Sequence, residues 1–152
     1  MSHDVQKIRD LIADSCALLD EQKFDEWIAL TAPGFHYRLS AFSDELGKRM
    51  VWMDFGRDAL KNLMEHASDH ERNLVHYSRH VSATRVGNAQ NGILPVRSSL
   101  TVYYTDLEGT TAIYAVGMYL DKATFVDGAP VLTERDVLLT TRRLPFGSHY
   151  PL

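Results

Sequence analysis

Histidine is the residue type whose number and spacing in this sequence first suggest chemistry. Seven of the 152 residues are histidine, and His66 and His70 stand four residues apart at the end of a predicted helix. Carboxylates at Glu65, Asp69 and Glu71 complete the two-histidine, one-carboxylate ligand set of a mononuclear iron site. The segment lacks hydrophobic neighbours, however, so we interpret it as a solvated helix end and predict no metal site there.

The single cysteine limits the redox chemistry that this chain can perform. A Rieske cluster needs two cysteines as well as two histidines, so Cys16 alone cannot hold one. Cys16 also falls within an apolar helical stripe, where a small core residue is expected. The sequence contains neither the Gly-x-Ser-x-Gly elbow of a hydrolase nor a glycine-rich phosphate loop. We therefore predict no metal, cluster or other cofactor on this chain.

A second histidine pair, His76 and His80, opens the first long predicted strand. Residues four apart on a strand point to the same face, so both imidazoles could face one pocket. One hypothesis makes them a general acid and base, with Asp25, Tyr37 or Asp54 as their partner. The alternative is that the imidazoles satisfy backbone groups or lie in a subunit interface, and the sequence favours that alternative.

The elements that would position these side chains begin with helices over about residues 4–32 and 57–67. In the first region, apolar residues recur at three- and four-residue steps and form one stripe. The stripe consists of Val5, Ile8, Leu11, Ile12, Leu18 and Leu19. We expect Pro33-Gly34 to end this helical region, a short strand to follow at 35–39, and a solvated loop at 43–49.

Strands dominate the second half of the chain, mainly within residues 76–142. Asn91-Gly92, Glu108-Gly109 and Asp127-Gly128 predict tight turns, because these residue types tolerate positive φ. The turns separate runs rich in Val, Ile, Thr and Tyr at 76–86, 93–105, 111–123 and 131–142. Helices followed by such strands predict an α+β class. We expect a curved antiparallel sheet to wrap around the N-terminal helices as a cone, with room for a pocket inside.

Composition and charge exclude several classes of protein. The chain is 45% hydrophobic and 24% charged, which predicts a folded core, and its length suits a single domain over 1–152. A net charge of −4 argues against a nucleic-acid binder. We find no signal-peptide pattern and no apolar run of the roughly 20 residues that span a membrane. We therefore predict a cytoplasmic protein that binds neither nucleic acid nor membrane.

The C-terminal tail, residues 143–152, is unusually apolar for a chain terminus. Arginine beside aromatic residues is a composition favoured at protein interfaces. We predict that the tail docks on a partner or on a neighbouring copy, with docking on its own domain as the alternative. The interface candidates are Arg142, Arg143, Leu144, Phe146, Tyr150 and Leu152.

Five phrases follow one another in order along nearly the whole chain. They are LLDEQKFDEW at 18–27, FHYR at 35–38, HYSRHVSATRV at 76–86, GMYLDK at 117–122 and LTERDV at 132–137. Together they resemble the small (β) subunit of Rieske-type aromatic-ring-hydroxylating dioxygenases. The later phrases are similar to small subunits that act on aromatic acids.

The resemblance implies a nuclear transport factor 2-like cone, which matches the architecture expected from the order of elements. It also implies a mainly structural subunit that forms a trimer and joins a large (α) subunit. In that family the large subunit carries the Rieske 2Fe–2S cluster and the mononuclear iron. No catalytic residue is transferred, because small subunits share none. The leading interpretation is therefore a structural subunit of an oxygenase that degrades an aromatic compound.

Two other functions stay open on the sequence alone. An independent cone-fold lyase, isomerase or hydratase would place the second histidine pair and its three candidate partners in an open polar pocket. A cone filled by Trp27, Met53 and tyrosine rings would argue against that enzyme. A non-catalytic ligand-binding module would share the pocket but lack the acid–base pair.

Overall fold

The computed structural model of the protein describes the backbone of residues 2–70, 75–148 and 150–152, and the side chains of those ranges except residues 2 and 67–70. Within them lie three helices and six strands. The helices are α1 (Ser2–Asp20), α2 (Phe24–Ile28) and α3 (Arg57–His70). The strands are β1 (Thr31–Ser43), β2 (Lys48–Gly56), β3 (His76–Val86), β4 (Leu94–Thr105), β5 (Thr111–Val126) and β6 (Ala129–Leu139). This content confirms the predicted α+β class.

The strands form one sheet in the order β2-β1-β6-β5-β4-β3. Most neighbours are antiparallel, but β1 and β6 pair in parallel, with Arg38 opposite Asp136. The sheet is therefore mixed rather than wholly antiparallel as predicted. The last strand of the chain, β6, lies near the centre of the sheet, where it joins the β1–β2 hairpin to the β3–β4–β5 meander.

Helix α1 covers one face of the sheet with its apolar stripe. Ile8, Leu11, Ile12 and Leu19 are each no more than 3% exposed, and Ser15 on the same side of the helix is fully buried. The 3.6-residue repeat of the stripe turns these side chains toward the strands, so their burial stabilises both helix and sheet. We call this covered face the inner face and the opposite one the outer face.

Aromatic side chains fill the space between the helices and the inner face. Trp27, Tyr37, Tyr114 and Tyr119 are at most 1% exposed. The ring of Trp27 meets that of Phe35 edge to face, with centroids 5.9 Å apart. Such pairs add to the stability gained from area burial alone. The cone is therefore a packed core.

Two boundaries in the first half differ from the sequence-based expectations. The helical region ends at Ile28, and Pro33 and Gly34 lie inside β1 rather than ending a helix. They fall between Thr31 and His36, where the register with β6 shifts, so the missing proline amide interrupts no paired position. Among the described residues, no helix is long and apolar enough to cross a membrane.

The sequence predicts a loop at 43–49 and no strand after it, whereas the structure has strand β2 from Lys48 to Gly56. It is an edge strand with no fully buried residue, so its sequence lacks the alternation of apolar and polar residues that marks a half-buried strand.

At the other end of the chain, β6 ends at Leu139, and the amides of Thr140 and Thr141 donate to the carbonyl of Val116. The strand region is therefore shorter than the expected limit at 142.

Candidate functional site

The histidines of the catalytic hypothesis lie on the outer face of β3. His76 and His80 are exposed, whereas Arg79 between them points inward and contacts Asp20 of α1. His80 Nε2 lies 2.9 Å from Ser78 Oγ, and its ring packs edge-on against Tyr103 at 5.0 Å. The pair therefore faces away from the interior of the cone.

The three candidate partners of these histidines lie elsewhere. Tyr37 is fully buried on the inner face, while Asp25 is exposed on α2. Asp54 on β2 forms an ion pair with His36 of β1 and stands 3.7 Å from Arg38 Nε. The structure thus distributes the five residues over separate surfaces and assembles no acid–base site from them.

The sequence predicts a solvated helix end around His66, and the described side chain of His66 agrees with that prediction. His66 is exposed, and its Nδ1 donates to the carbonyl of Asn62 at 2.8 Å. The side chains of Asp69, His70 and Glu71 lie outside the described residues. Among the side chains that are described, no three His, Cys, Asp or Glu residues form a group that could hold a metal ion.

An ion pair that the sequence analysis did not single out occupies the centre of the cone. Arg135 of β6 donates from Nε and Nη2 to the two carboxylate oxygens of Asp121 on β5, each at 3.0 Å. Both side chains are 0% exposed. Arg135 Nη2 also donates to Ser15 Oγ of α1 at 3.0 Å, and the guanidinium lies 3.8 Å from the centroid of the Tyr119 ring. The pair therefore joins the sheet to the helix.

Burial and mutual attraction oppose one another in this pair. Burial raises the pKa of the Asp121 carboxyl, and the positive charge and hydrogen bonds of Arg135 counter that rise. Burial by itself lowers the pKa of Arg135, but the charge of Asp121, the hydrogen bonds to it and the nearby Tyr119 and Cys16 together outweigh burial and leave the guanidinium pKa above its usual value. The two-fold hydrogen bond supplies the geometry that a buried ion pair needs.

A second arginine links the helices, the sheet and the C-terminal tail. The backbone amide and Nη1 of Arg79 both donate to Asp20, the latter at 2.7 Å. Its Nη2 donates to the carbonyl of Pro151 at 2.8 Å. Arg79 is 7% exposed, so these bonds are largely shielded from water.

The end of the tail fills what remains of the cone interior. Leu152 is fully buried, and its amide donates to the Tyr37 hydroxyl at 2.9 Å. Tyr150 stacks on Phe24 of α2, with ring centroids 4.7 Å apart. Tyr114 donates from its hydroxyl to the carbonyl of Phe146 at 2.6 Å. The tail therefore packs into the space between the helices and the inner face.

The interface candidates of the tail thus separate into two groups. Tyr150 and Leu152 are buried in their own domain, and Leu144 and Phe146 pack partly against its core. This is the alternative considered for the tail, because self-docking buries its apolar side chains. The remaining candidates, Arg142 and Arg143, are exposed.

The interior offers little acid–base chemistry near neutral pH. Burial raises the pKa of Tyr37 to about 12 and that of Tyr119 well above its ordinary value. Burial likewise raises the pKa of the Cys16 thiol, so the reactive thiolate is disfavoured.

The sequence contains a signal for the central pair of Arg135 and Asp121, since Arg135 is in phase with the buried Val137 and Leu139 along β6.

Two open grooves lie on the outer face of the sheet. The larger, of about 530 Å³, is lined by Arg85, Arg97 and Leu120 among others. The second, of about 480 Å³, is lined by His36, Gln90 and Thr133 among others. Both are shallow surface features rather than enclosed sites.

Comparisons with known proteins identify a family and two relatives of this chain. The sequence pattern of the SnoaL-like domain family matches residues 1–136. The chain is 34% identical over 149 residues to the β subunit of 2-aminobenzenesulfonate 2,3-dioxygenase from an Alcaligenes species, covering 98% of this chain and 99% of that protein. It is 31% identical to the β subunit of the methanesulfonate monooxygenase hydroxylase from Methylosulfonomonas methylovora, covering 95% of this chain and 85% of the relative.

A solved structure extends the likeness to the fold. The protein, from Novosphingobium aromaticivorans, is assigned as the β subunit of an aromatic-ring-hydroxylating dioxygenase. It superimposes with a TM-score of 0.81 over 94% of each chain. The sequence identity is 19%, so this comparison supports the fold alone.

Proposed function

Since the chain belongs to the SnoaL-like domain family and is a β subunit of a multicomponent oxygenase, we propose that it is the small structural subunit of a Rieske non-heme iron, aromatic-ring-hydroxylating dioxygenase. Its partner is a large (α) subunit that carries the Rieske 2Fe–2S cluster and the mononuclear iron. Three copies of this chain form a trimer within the complete enzyme. The single cysteine, Cys16, supports placing the cluster on the partner, because a Rieske cluster needs two.

The filled interior is the observation that carries the structural role. Trp27, Tyr37 and Leu152 are fully buried between the helices and the inner face. The buried tyrosine hydroxyls stay protonated near neutral pH, because desolvation disfavours the phenolate. Side chains packed in this way hold a scaffold rigid and leave a substrate no place to bind.

Exposed apolar side chains support the proposal that this chain works within a larger assembly. Several large apolar side chains are more than a third exposed to solvent. They are Phe42, Leu46, Val51, Trp52, Leu107, Ile113, Val116 and Val126. Contact with other subunits would remove this apolar area from water and stabilise the complex.

The substrate of the complete enzyme is, in this proposal, an organic acid with an aromatic ring. One relative is named for 2-aminobenzenesulfonate and the other for methanesulfonate, and both compounds carry a sulfonate. An aromatic sulfonate or carboxylate therefore fits the family and the aromatic-acid resemblance of the sequence. The large subunit would bind it, since the described part of this chain provides no enclosed site.

Co-expression with a Rieske large subunit tests the proposal. We expect the two chains to co-purify in equal amounts and to hydroxylate an aromatic sulfonate or carboxylate. Iron and the electron paramagnetic resonance signal of the cluster should follow the large subunit, and the native mass should correspond to three pairs. Stoichiometric iron in this chain purified alone, or turnover by it alone, would contradict the proposal.

A histidine variant distinguishes this role from that of an independent lyase, isomerase or hydratase. His76→Ala with His80→Ala removes the acid–base pair of that alternative while leaving the buried interior untouched. We expect the reconstituted oxygenase to keep its activity. Loss of oxygenase activity with an unchanged native mass would contradict a purely structural role, and lyase, isomerase or hydratase turnover by the wild-type chain alone that this variant abolishes would favour the alternative.

We also propose that residues 1–152 form one domain and that the protein works in the cytoplasm. Contacts between α1 and both β3 and β6 span the chain, which supports a single folding unit. The free, buried thiol of Cys16 suits a reducing compartment. Limited proteolysis and cell fractionation would test these two statements.

A further inference from the structure

Two arginines stand directly opposite one another on the outer face. Arg85 of β3 pairs in register with Arg97 of β4, and both are exposed. Like charges at directly opposed positions destabilise a sheet. Within the described ranges neither arginine forms an ion pair, whereas the nearby carboxylates of Glu134 and Asp136 are bound by other cations. The arginine pair is thus a local excess of positive charge.

These arginines border the larger of the two outer grooves. Its apolar lining includes Pro95, Val96 and Leu120, and its volume is about 530 Å³. A cationic rim over an apolar floor matches a segment that carries carboxylates beside an aliphatic side chain. We call this site the arginine groove.

The chain itself displays such a segment at the end of the β1–β2 hairpin. The turn between β1 and β2, residues 44–47, contains Asp44, Glu45 and Leu46, and all three are exposed. Leu46 is 62% exposed, and neither carboxylate forms an ion pair with any residue that the structure describes. The turn therefore presents two free carboxylates and an apolar side chain to solvent.

The sheet order separates the two surfaces within one molecule. The groove lies over β3 to β6, whereas the turn projects from the end of the β1–β2 hairpin, so the two are different surfaces of one molecule. A contact between two different surfaces of identical chains is heterologous, and it closes into a ring when the rotation permits. We propose that the 44–47 turn of one copy occupies the arginine groove of the next, and that three such contacts form the trimer.

This inference rests on the proposed function only in taking the ring to have three members. The charges on both sides are those of the chain itself, which favours a second copy over the large subunit as the occupant. A contact between arginine and carboxylate at a partly buried interface gives specificity and orientation to the association. The turn and the groove should therefore be required together.

Charge reversal tests the contact in the isolated chain by analytical ultracentrifugation. We expect the wild type to sediment as a trimer. Reversal of the groove (Arg85→Glu with Arg97→Glu) should reduce the mass to that of a monomer, and so should reversal of the turn (Asp44→Lys with Glu45→Lys). The variant carrying all four substitutions should regain the trimer, because the contact is restored with opposite signs.

A matched control carries the same change in net charge on the helical side of the molecule. Arg9 and Lys61 are exposed and form no ion pair among the described residues, so Arg9→Glu with Lys61→Glu should leave the trimer intact. A monomeric wild type, a trimeric groove variant or a monomeric variant with all four substitutions would overturn the inference. So would a control that dissociates to the same extent.

Co-purification with the large subunit separates this inference from the proposed function. If the trimer depends on the turn and groove but no Rieske subunit binds, the contact stands and the proposed function fails. If the groove variant stays trimeric and instead loses the large subunit, the groove belongs to that subunit and the self-contact is wrong.

Discussion

Two ion pairs lie side by side on β5 and β6, one on each face of the sheet. Asp121 opposite Arg135 faces inward, and Lys122 opposite Glu134 faces outward. The inner pair is 0% exposed on both sides, whereas Lys122 and Glu134 are 56% and 36% exposed. Removing one partner leaves a bare charge in the first case and a hydrated one in the second. The inner pair should therefore contribute far more to the stability of the fold than the outer pair.

The largest expected effect comes from breaking the inner pair. Arg135→Leu should lower the free energy of unfolding by about 3–5 kcal/mol, because Asp121 would remain buried without its partner. Lys122→Ala, the matched change on the outer face, should cost less than about 1 kcal/mol. Urea unfolding of both variants measures the difference, and equal losses would break the comparison between the two faces.

A double replacement sharpens the same point. Asp121→Leu with Arg135→Met removes both charges and should recover much of the stability that Arg135→Leu loses, since apolar residues of similar volume can replace a buried ion pair. If the double variant is no more stable than the single one, the hydrogen bond from Arg135 to Ser15 matters more than the charge pair.

The second expected effect concerns the tail inside the cone. Leu152→Ala should cost roughly 2–5 kcal/mol, and we expect the lower part of that range because a chain terminus can relax into the gap. Leu107→Ala is its control on the surface, where the leucine is 76% exposed and the change should stay within about 0.5 kcal/mol. Thermal and urea unfolding would record both values. A Leu152 variant as stable as its control would show that the tail does not complete the core.

The smallest expected effect is the loss of one buried hydrogen bond. Tyr37→Phe leaves the Leu152 amide without its acceptor and should cost about 1–2 kcal/mol at neutral pH. Tyr103→Phe, on a partly exposed tyrosine, should change little.

Alkaline titration gives a second readout of the same tyrosine. The folded pKa of Tyr37 is about 12, above the ordinary value of 10.0, so stability is full below pH 10 and falls as pH rises toward 12. The fall reflects ionisation of the phenol in the unfolded chain before the folded one. Tyr37→Phe should lessen this alkaline loss, and an unchanged pH profile would contradict the assignment.

The sequence predicted the parts of the fold that local pattern controls. The three-to-four repeat located α1, and the glycine turns at Asn91, Glu108 and Asp127 lie between successive strands from β3 to β6. The edge strand β2 escaped prediction because its residues do not alternate clearly between apolar and polar, and the parallel pairing of β1 with β6 escaped because the direction of pairing leaves no pattern in either segment. Long-range pairing is decided by the packing of the whole chain.

The interior site was harder to predict than the fold for a related reason. Arg135 and Asp121 are charged residues in strands, and only their phase with buried neighbours shows that they point inward. Their pairing across β5 and β6 depends on register, which the sequence does not state. The sequence predicts that the tail docks on a partner or on a neighbouring copy. Its apolar residues could equally join the core of their own domain, and Tyr150 and Leu152 do so.

The central position of β6 has a consequence for how the chain acquires its structure. The β1–β2 hairpin and the β3–β4–β5 meander can each form from neighbouring residues, but β6 must pair with both before the sheet is continuous. Contacts between distant residues, such as Arg38 and Asp136, slow folding because a large loop must close first. During synthesis the apolar inner faces of the two halves therefore await the last strand. We expect this chain to need protection from aggregation until β6 has left the ribosome.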